Sequence, residues 1–263
     1  MHDFAFVFAG FFVGAVVGLT GVGGGSLMTP ILIFVFGIKP YLAVGTDLLF
    51  ASCTKMGGTL KLARARRIDW PVVARLCAGS LPASMVTLYV LKSMGTTDKA
   101  VQTLITTTLG VALMLTAVAT LYKAIRGKNG PQSISAGEET LALQPRHWSL
   151  PLLFGAFIGT LVTLTSVGAG AIGVTVLMLL YPRLPLQRII AADIAYAVPL
   201  TFVAGLGHAG LGSVNWSMLA LLLAGSLPGI WVGSHWMTRA PERLIRGLLS
   251  LLLAYAGTKL LAL

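Results

Sequence analysis

Along the chain, apolar runs of up to about twenty residues alternate with short polar connections, the length needed to cross the hydrocarbon core of a membrane. The first run, 4–37, is interrupted in its middle by the stretch Thr20-Gly21-Val22-Gly23-Gly24-Gly25-Ser26, leaving two apolar pieces at 4–19 and 27–37. Unbroken runs follow at 42–60, 71–91 and 100–122. Residues 126–147 are polar and carry Gly, Asn, Pro, Ser and Glu, the composition of a linker. The second part repeats the plan, with an interrupted run at 148–164 and 171–181 and unbroken ones at 189–206, 217–237 and 244–263. Such runs predict helices. Ten-residue alternating strands are absent, which argues against an outer-membrane barrel.

The repetition extends to individual residues. Thr165-Ser166-Val167-Gly168-Ala169-Gly170 matches Thr20-Gly21-Val22-Gly23-Gly24-Gly25 at an offset of 145. At an offset of 146, Thr46-Asp47 corresponds to Ala192-Asp193, and Ile68-Asp69-Trp70 to Val214-Asn215-Trp216. At that same offset, Ala78-Gly79-Ser80-Leu81-Pro82 recurs unchanged as Ala224-Gly225-Ser226-Leu227-Pro228. Four collinear matches make the chain two repeats, 1–125 and 148–263, joined by the linker 126–147.

Charge then bears on topology. Let each interrupted run be a pair of short helices that enters and leaves on one side. Lys61, Arg64, Arg66, Arg67, Lys123, Arg126, Lys128, Arg146, Arg183, Arg188, Arg239, Arg243 and Arg246 then share one face. Lys39, Lys92, Lys99 and Lys259 share the other, a division of 13 against 4. If each interrupted run crossed once, the division would fall to 9 against 8. The positive-inside rule selects the first arrangement, with the N-terminus outside and the linker in the cytoplasm of a bacterial inner membrane. Each half then makes an odd number of net crossings, so the fold expected is all-α: two inverted repeats, each a broken-helix hairpin plus three transmembrane helices. Half-helices of about 11–17 residues span roughly 17–25 Å, which fits both re-entrant segments and two short crossings.

The composition agrees with this reading: of 263 residues, 56% are apolar and 10% charged, and mean hydropathy is +0.87, against about 25% charge in soluble domains. The net charge of +11 lies in the connections and not in a patch, which argues against nucleic acid as a partner. The N-terminus lacks the basic segment and small-residue site of a cleaved signal peptide. Cys53 and Cys77 form no CxxC pair and read as small packing residues, with no metal or cofactor implied. Trp70, Trp148 and Trp216 begin runs and read as interfacial anchors.

Inverted repeats with paired broken helices point to a secondary transporter with its site at mid-depth. Gly21, Gly23, Gly24 and Gly25 free the backbone to approach a ligand. Ser26 is placed to cap the helix that follows and Pro30 to sit near its first turn. The N–H groups exposed there suit a small anion, with Thr20, Thr165 and Ser166 adding hydroxyls and Gly168 and Gly170 repeating the geometry. The competing reading is close helix packing, which Gly14 and Gly18 fit. Asp47, Lys55 and Asp193 lie inside apolar runs, where ionisable groups are costly. They either couple substrate movement to protons or sodium or brace the helix breaks; Lys55 either attracts the anion or neutralises Asp47. Ser80, Pro82, Ser226 and Pro228 mark helix kinks suited to gating. His208 reads as a loop histidine. The sequence has no cluster of catalytic type and no ATP-binding motif, so an enzyme is not indicated. A cation or metal transporter using Asp47 and Asp193 is the rival.

Together, Gly18-Leu19-Thr20-Gly21-Val22-Gly23-Gly24-Gly25, Val44-Gly45-Thr46-Asp47, Gly79-Ser80-Leu81-Pro82 and their second-half counterparts resemble the sulfite exporter TauE/SafE family of bacterial membrane permeases. The resemblance spans essentially the whole chain. It implies export of a small sulfur-containing or organic anion such as sulfite, sulfoacetate or another sulfonate. The second motif has Ala169 in place of Gly24 and lacks a counterpart of Pro30, which argues against identical roles for the two halves.

Overall fold

The computed structural model describes residues 2–20, 25–95, 98–126, 149–168, 170–236 and 242–262. These form ten α-helices: α1 (His2–Thr20), α2 (Gly25–Phe34), α3 (Pro40–Arg64), α4 (Trp70–Met94), α5 (Lys99–Arg126), α6 (Leu150–Thr165), α7 (Ala171–Leu180), α8 (Leu186–Gly210), α9 (Trp216–Trp236) and α10 (Glu242–Leu261). No strand occurs among the described residues. Prolines in the first turn start α3, α4 and α6, where a missing N–H removes no helical bond. Residues 127–148, which hold all of the expected linker except Arg126, lie outside the described residues, as do Gly21–Gly24.

Four helices are long and apolar enough to cross a membrane: Trp70–Met94, Lys99–Leu121, Leu186–Gly210 and Trp216–Gly233. Large apolar side chains such as Phe4, Phe8, Tyr89, Leu153 and Trp231 point outward, as lipid-facing residues do. Trp70 and Trp216 open α4 and α9 and are exposed, the placement of interfacial anchors. Cys53 is also exposed, so its thiol faces outward and is not the packing residue its position suggested.

The halves interlock. Helix α1 packs against α9, α4 against α6, α3 against α8 and α5 against α10, with α2 touching α10 and α5 touching α7. Exchanging the halves maps this set of pairs onto itself. Glycines set the direction of each pair. On α1 and α9, Gly225, Gly229 and Gly233 meet the carbonyls of Val7, Phe11 and Ala15 in rising order, so these helices run parallel. Gly155 and Gly159 meet those of Leu76 and Ser80, so α4 and α6 are parallel as well. A Cβ on any of these five glycines would lie 1.9–2.5 Å from the opposing oxygen, and only glycine permits the approach.

The central pair runs the other way. Leu49 lies on Gly205, the Ser52 hydroxyl donates to the Val198 carbonyl at 3.4 Å, and Gly58 meets Ile194, so α3 and α8 are antiparallel. Gly110 meets Leu261 while Met114 meets Gly257, which makes α5 and α10 antiparallel too.

Contacts between the ends sort the connections. Arg188, in the first turn of α8, pairs with Asp69, which precedes α4, at 3.3 Å. The Asn215 N–H, just before α9, donates to Thr46 Oγ1 near the start of α3 at 3.1 Å. Phe6 stacks on Phe36 with ring centroids 4.5 Å apart, so the end of α2 returns to the beginning of α1. The Lys259 ammonium lies 5.2 Å from the centroid of the Phe34 ring and joins the ends of α10 and α2.

Candidate functional site

The break between α6 and α7 is built from backbone that ordinary residues avoid. Ser166 adopts φ 58°, Gly168 φ 122° and Gly170 φ 136°, the last two suited to glycine. Thr165 holds the turn together, donating to the Leu161 carbonyl at 2.6 Å and accepting from the Val167 N–H at 3.1 Å. Its hydroxyl is thereby engaged within the break. The Gly168 carbonyl accepts from the Gly173 N–H at 3.0 Å and so closes the start of α7. Val167 is fully buried.

Asp47, two turns into α3, is completely buried. It accepts a hydrogen bond from the Thr29 hydroxyl, one turn into α2. The Ser166 hydroxyl lies close enough to the same carboxylate to interact with it, though no hydrogen bond closes and Asp47 Oδ1 and Ser166 Oγ have no hydrogen-bond partner. The carboxylate is therefore bonded to the half-helix α2 of the first half and lies beside the glycine break of the second.

Asp193, its repeat counterpart on α8, is also buried. Its Oδ1 rests on the first turn of α7, where a Cβ on Gly173 would lie 2.0 Å away. Both aspartates thus lean on the start of a ten-residue half-helix. Lys55, two turns beyond Asp47, is 5% exposed and is the one buried lysine or arginine among the described residues. Asp47 and Asp193 are the carboxylates close enough to act on it.

The other expected residues fall elsewhere. Ser80 and Ser226 are buried in the α4–α6 and α1–α9 interfaces, where their backbones face Gly159 and Gly14. Ser226 donates to the Leu223 carbonyl at 3.2 Å, whereas Ser80 Oγ has no hydrogen-bond partner. Pro82 and Pro228 lie within α4 and α9 on exposed faces. Gly21, Val22, Gly23, Gly24 and Ala169 are outside the described residues, as are the side chains of Thr20 and Ser26. Helix α2 begins at Gly25, which puts Ser26 inside the helix and Pro30 in its second turn. Among the described residues no three His, Cys, Asp or Glu side chains gather as a metal-binding group.

Three residues bear on the site without having been singled out for it. Thr29 was hidden because its role depends on a partner 18 residues away, although its counterpart at the 146 offset is Thr175. Tyr196, three residues from Asp193 on α8, is fully buried, and its hydroxyl lacks a hydrogen-bond partner. His208 is no loop residue: α8 runs through the glycines around it to Gly210. It is fully buried and its Nε2–H donates to the Thr163 carbonyl at 2.9 Å.

The family model described as Sulfite exporter TauE/SafE matches residues 6–260. The chain belongs to this family. It is 33% identical over 264 residues to the "Probable membrane transporter protein YjnA" of Bacillus subtilis (strain 168), covering 97% of this chain and 98% of that protein. It is 29% identical over 238 residues to the "Probable membrane transporter protein YunE" of the same organism, covering 86% and 84%. No solved structure matches the chain. As a member of the TauE/SafE family, the protein is a multi-pass membrane transporter, and the aspartates and the α6–α7 break lie in its interior.

Proposed function

We propose that this TauE/SafE protein exports a small sulfur-containing or organic anion, such as sulfite or a sulfonate, by alternating access at a mid-depth site between the two glycine-rich breaks. The observation that carries this is the Asp47 carboxylate, bonded to Thr29 on α2 and beside Ser166 at the opposite break. Helices α2 and α7 have ten residues each, or about 15 Å, half of a hydrocarbon core of about 30 Å. Their N-termini then reach mid-depth, where exposed N–H groups favour an anion.

The helix directions support two inverted repeats, 1–125 and 148–263. Corresponding helices α3 and α8 are antiparallel, as are α5 and α10. The Arg188–Asp69 pair supports the same sidedness, because it joins two connections that share a face only in the hairpin arrangement. In that arrangement the N-terminus is outside and the linker 126–147 is in the cytoplasm of a bacterial inner membrane.

Two buried carboxylates favour a second reading, transport of a cation. A thermal-shift screen of the purified protein separates the two, since a ligand that binds only the folded state raises its apparent stability. Sulfite, sulfoacetate, sulfate, sodium and divalent cations are compared. Stabilisation by sulfite or sulfoacetate supports the anion site. Stabilisation by a cation alone, abolished by Asp47→Asn and Asp193→Asn, overturns it. Efflux from loaded proteoliposomes under imposed proton or sodium gradients then identifies the coupling ion.

A further inference from the structure

We propose that the turn between α3 and α4 is a binding site for an anionic phospholipid, with Lys61, Arg64, Arg66 and Arg67 holding the headgroup phosphate and the uncovered end of α3 taking the acyl chains. The inference concerns the membrane surface of the protein and is independent of which ion is transported.

This turn and its repeat counterpart share one backbone. After α3, the N–H groups of Ala65, Arg66 and Arg67 donate to the carbonyls of Lys61, Ala63 and Leu62 at 3.0–3.1 Å. After α8, those of Leu211, Gly212 and Ser213 donate to the carbonyls of Gly207, Ala209 and His208 at 2.9–3.1 Å, residue for residue at the offset of 146. In both turns the second residue is left-handed, Gly212 at φ 71° and Arg66 at φ 52°. Glycine ends helices in this way at no steric cost. One turn therefore carries the ordinary residue and the other an arginine in its place. A charge that only sets orientation could stand anywhere in the connection. An arginine at the strained position points to a task for its side chain.

The surroundings define that task. Lys61, Arg64, Arg66 and Arg67 are all exposed, four cations within seven residues. None forms an ion pair with a described residue, and Asp69, the carboxylate of this turn, is buried against Arg188 at 3.3 Å. The charge of the cluster is thus left for a partner outside the fold. Just before it, Met56 and Leu60 are exposed, four residues apart on the face that Arg64 continues. A Cβ on Gly57 would meet nothing within 4 Å, so no protein covers this end of α3. Just after the cluster, Trp70 is exposed at the start of α4, the placement of an interfacial anchor. Apolar surface leading to clustered cations beside such an anchor fits a phospholipid better than a free anion, which has no chains to bury. Guanidinium groups match phosphate oxygens through paired N–H donors, and basic clusters beside a membrane helix attract acidic lipid.

The probe is dioctanoyl phosphatidylglycerol, added to the detergent-purified protein and read by thermal shift. Dioctanoyl phosphatidylcholine is the zwitterionic control and inorganic phosphate the free anion. Wild type is expected to be stabilised by phosphatidylglycerol and not by phosphatidylcholine, less so as salt is raised. Arg66→Gly installs the residue of the counterpart turn, so it should melt at or above wild type without lipid, while binding phosphatidylglycerol about fivefold more weakly. Lys61→Gln/Arg64→Gln/Arg67→Gln is expected to lose the stabilisation, and Lys39→Gln/Lys92→Gln, which removes two cations from other connections, to keep it. Undiminished phosphatidylglycerol binding in Arg66→Gly or in the triple variant, or an equal loss in Lys39→Gln/Lys92→Gln, would overturn the site. Equal stabilisation by inorganic phosphate would overturn the lipid in favour of a site for free anions.

Discussion

Thr29 illustrates how much rests on single hydroxyls in this interior. Its O–H donates to Asp47, a carboxylate with no exposure to water. Thr29→Val keeps the shape and removes the donor, so the buried acceptor loses about 1–3 kcal/mol of compensation. A lower melting temperature and slower efflux are expected, while Thr29→Ser should restore both. Glycines supply a second residue-level contrast. Gly159→Ala would place its Cβ 2.4 Å from the Ser80 carbonyl, forcing α4 and α6 apart at a cost of about 1–3 kcal/mol. Gly57→Ala meets nothing within 4 Å and should be neutral or slightly stabilising in a thermal melt. The sequence alone marked Asp47, Lys55 and Asp193, because a charge inside an apolar run is conspicuous. It could not mark Thr29 or the buried state of His208, since these are ordinary residues until a partner far along the chain gives them a task.

At the scale of elements, the helices were largely readable from the apolar runs, and the break after α6 from its glycines. The deviations are local: α8 continues through Gly205, Gly207 and Gly210, because packing against α3 and α4 outweighs the low helix propensity of glycine there. What the pattern could not supply was the pairing of helices, which depends on contacts between residues far apart in the chain. The two internal prolines belong to this scale. Pro82 denies α4 the hydrogen bond to the Ala78 carbonyl, and its exposed ring leaves the α4–α6 seam intact. If the kink serves gating, Pro82→Ala should slow efflux while leaving sulfite binding within about twofold, the two read separately by flux and thermal shift.

At the scale of the whole molecule, sidedness is open to direct measurement. In a background with Cys53 and Cys77 replaced, Lys61→Cys and Arg66→Cys should react with a membrane-impermeant thiol reagent only from the cytoplasmic side, and Lys39→Cys and Lys92→Cys only from the outside. Labelling of Lys39→Cys and Lys61→Cys from one side would refute α3 as a membrane crossing. Interlocking has a further consequence, for biosynthesis. Since α1 finds its partner in α9 and α4 in α6, the ribosome releases the first half into the bilayer with both glycine seams uncovered. Those seams close only after the second half has been inserted. Neither half is therefore a unit that matures alone, and an interrupted nascent chain would offer quality-control proteases two open backbone grooves.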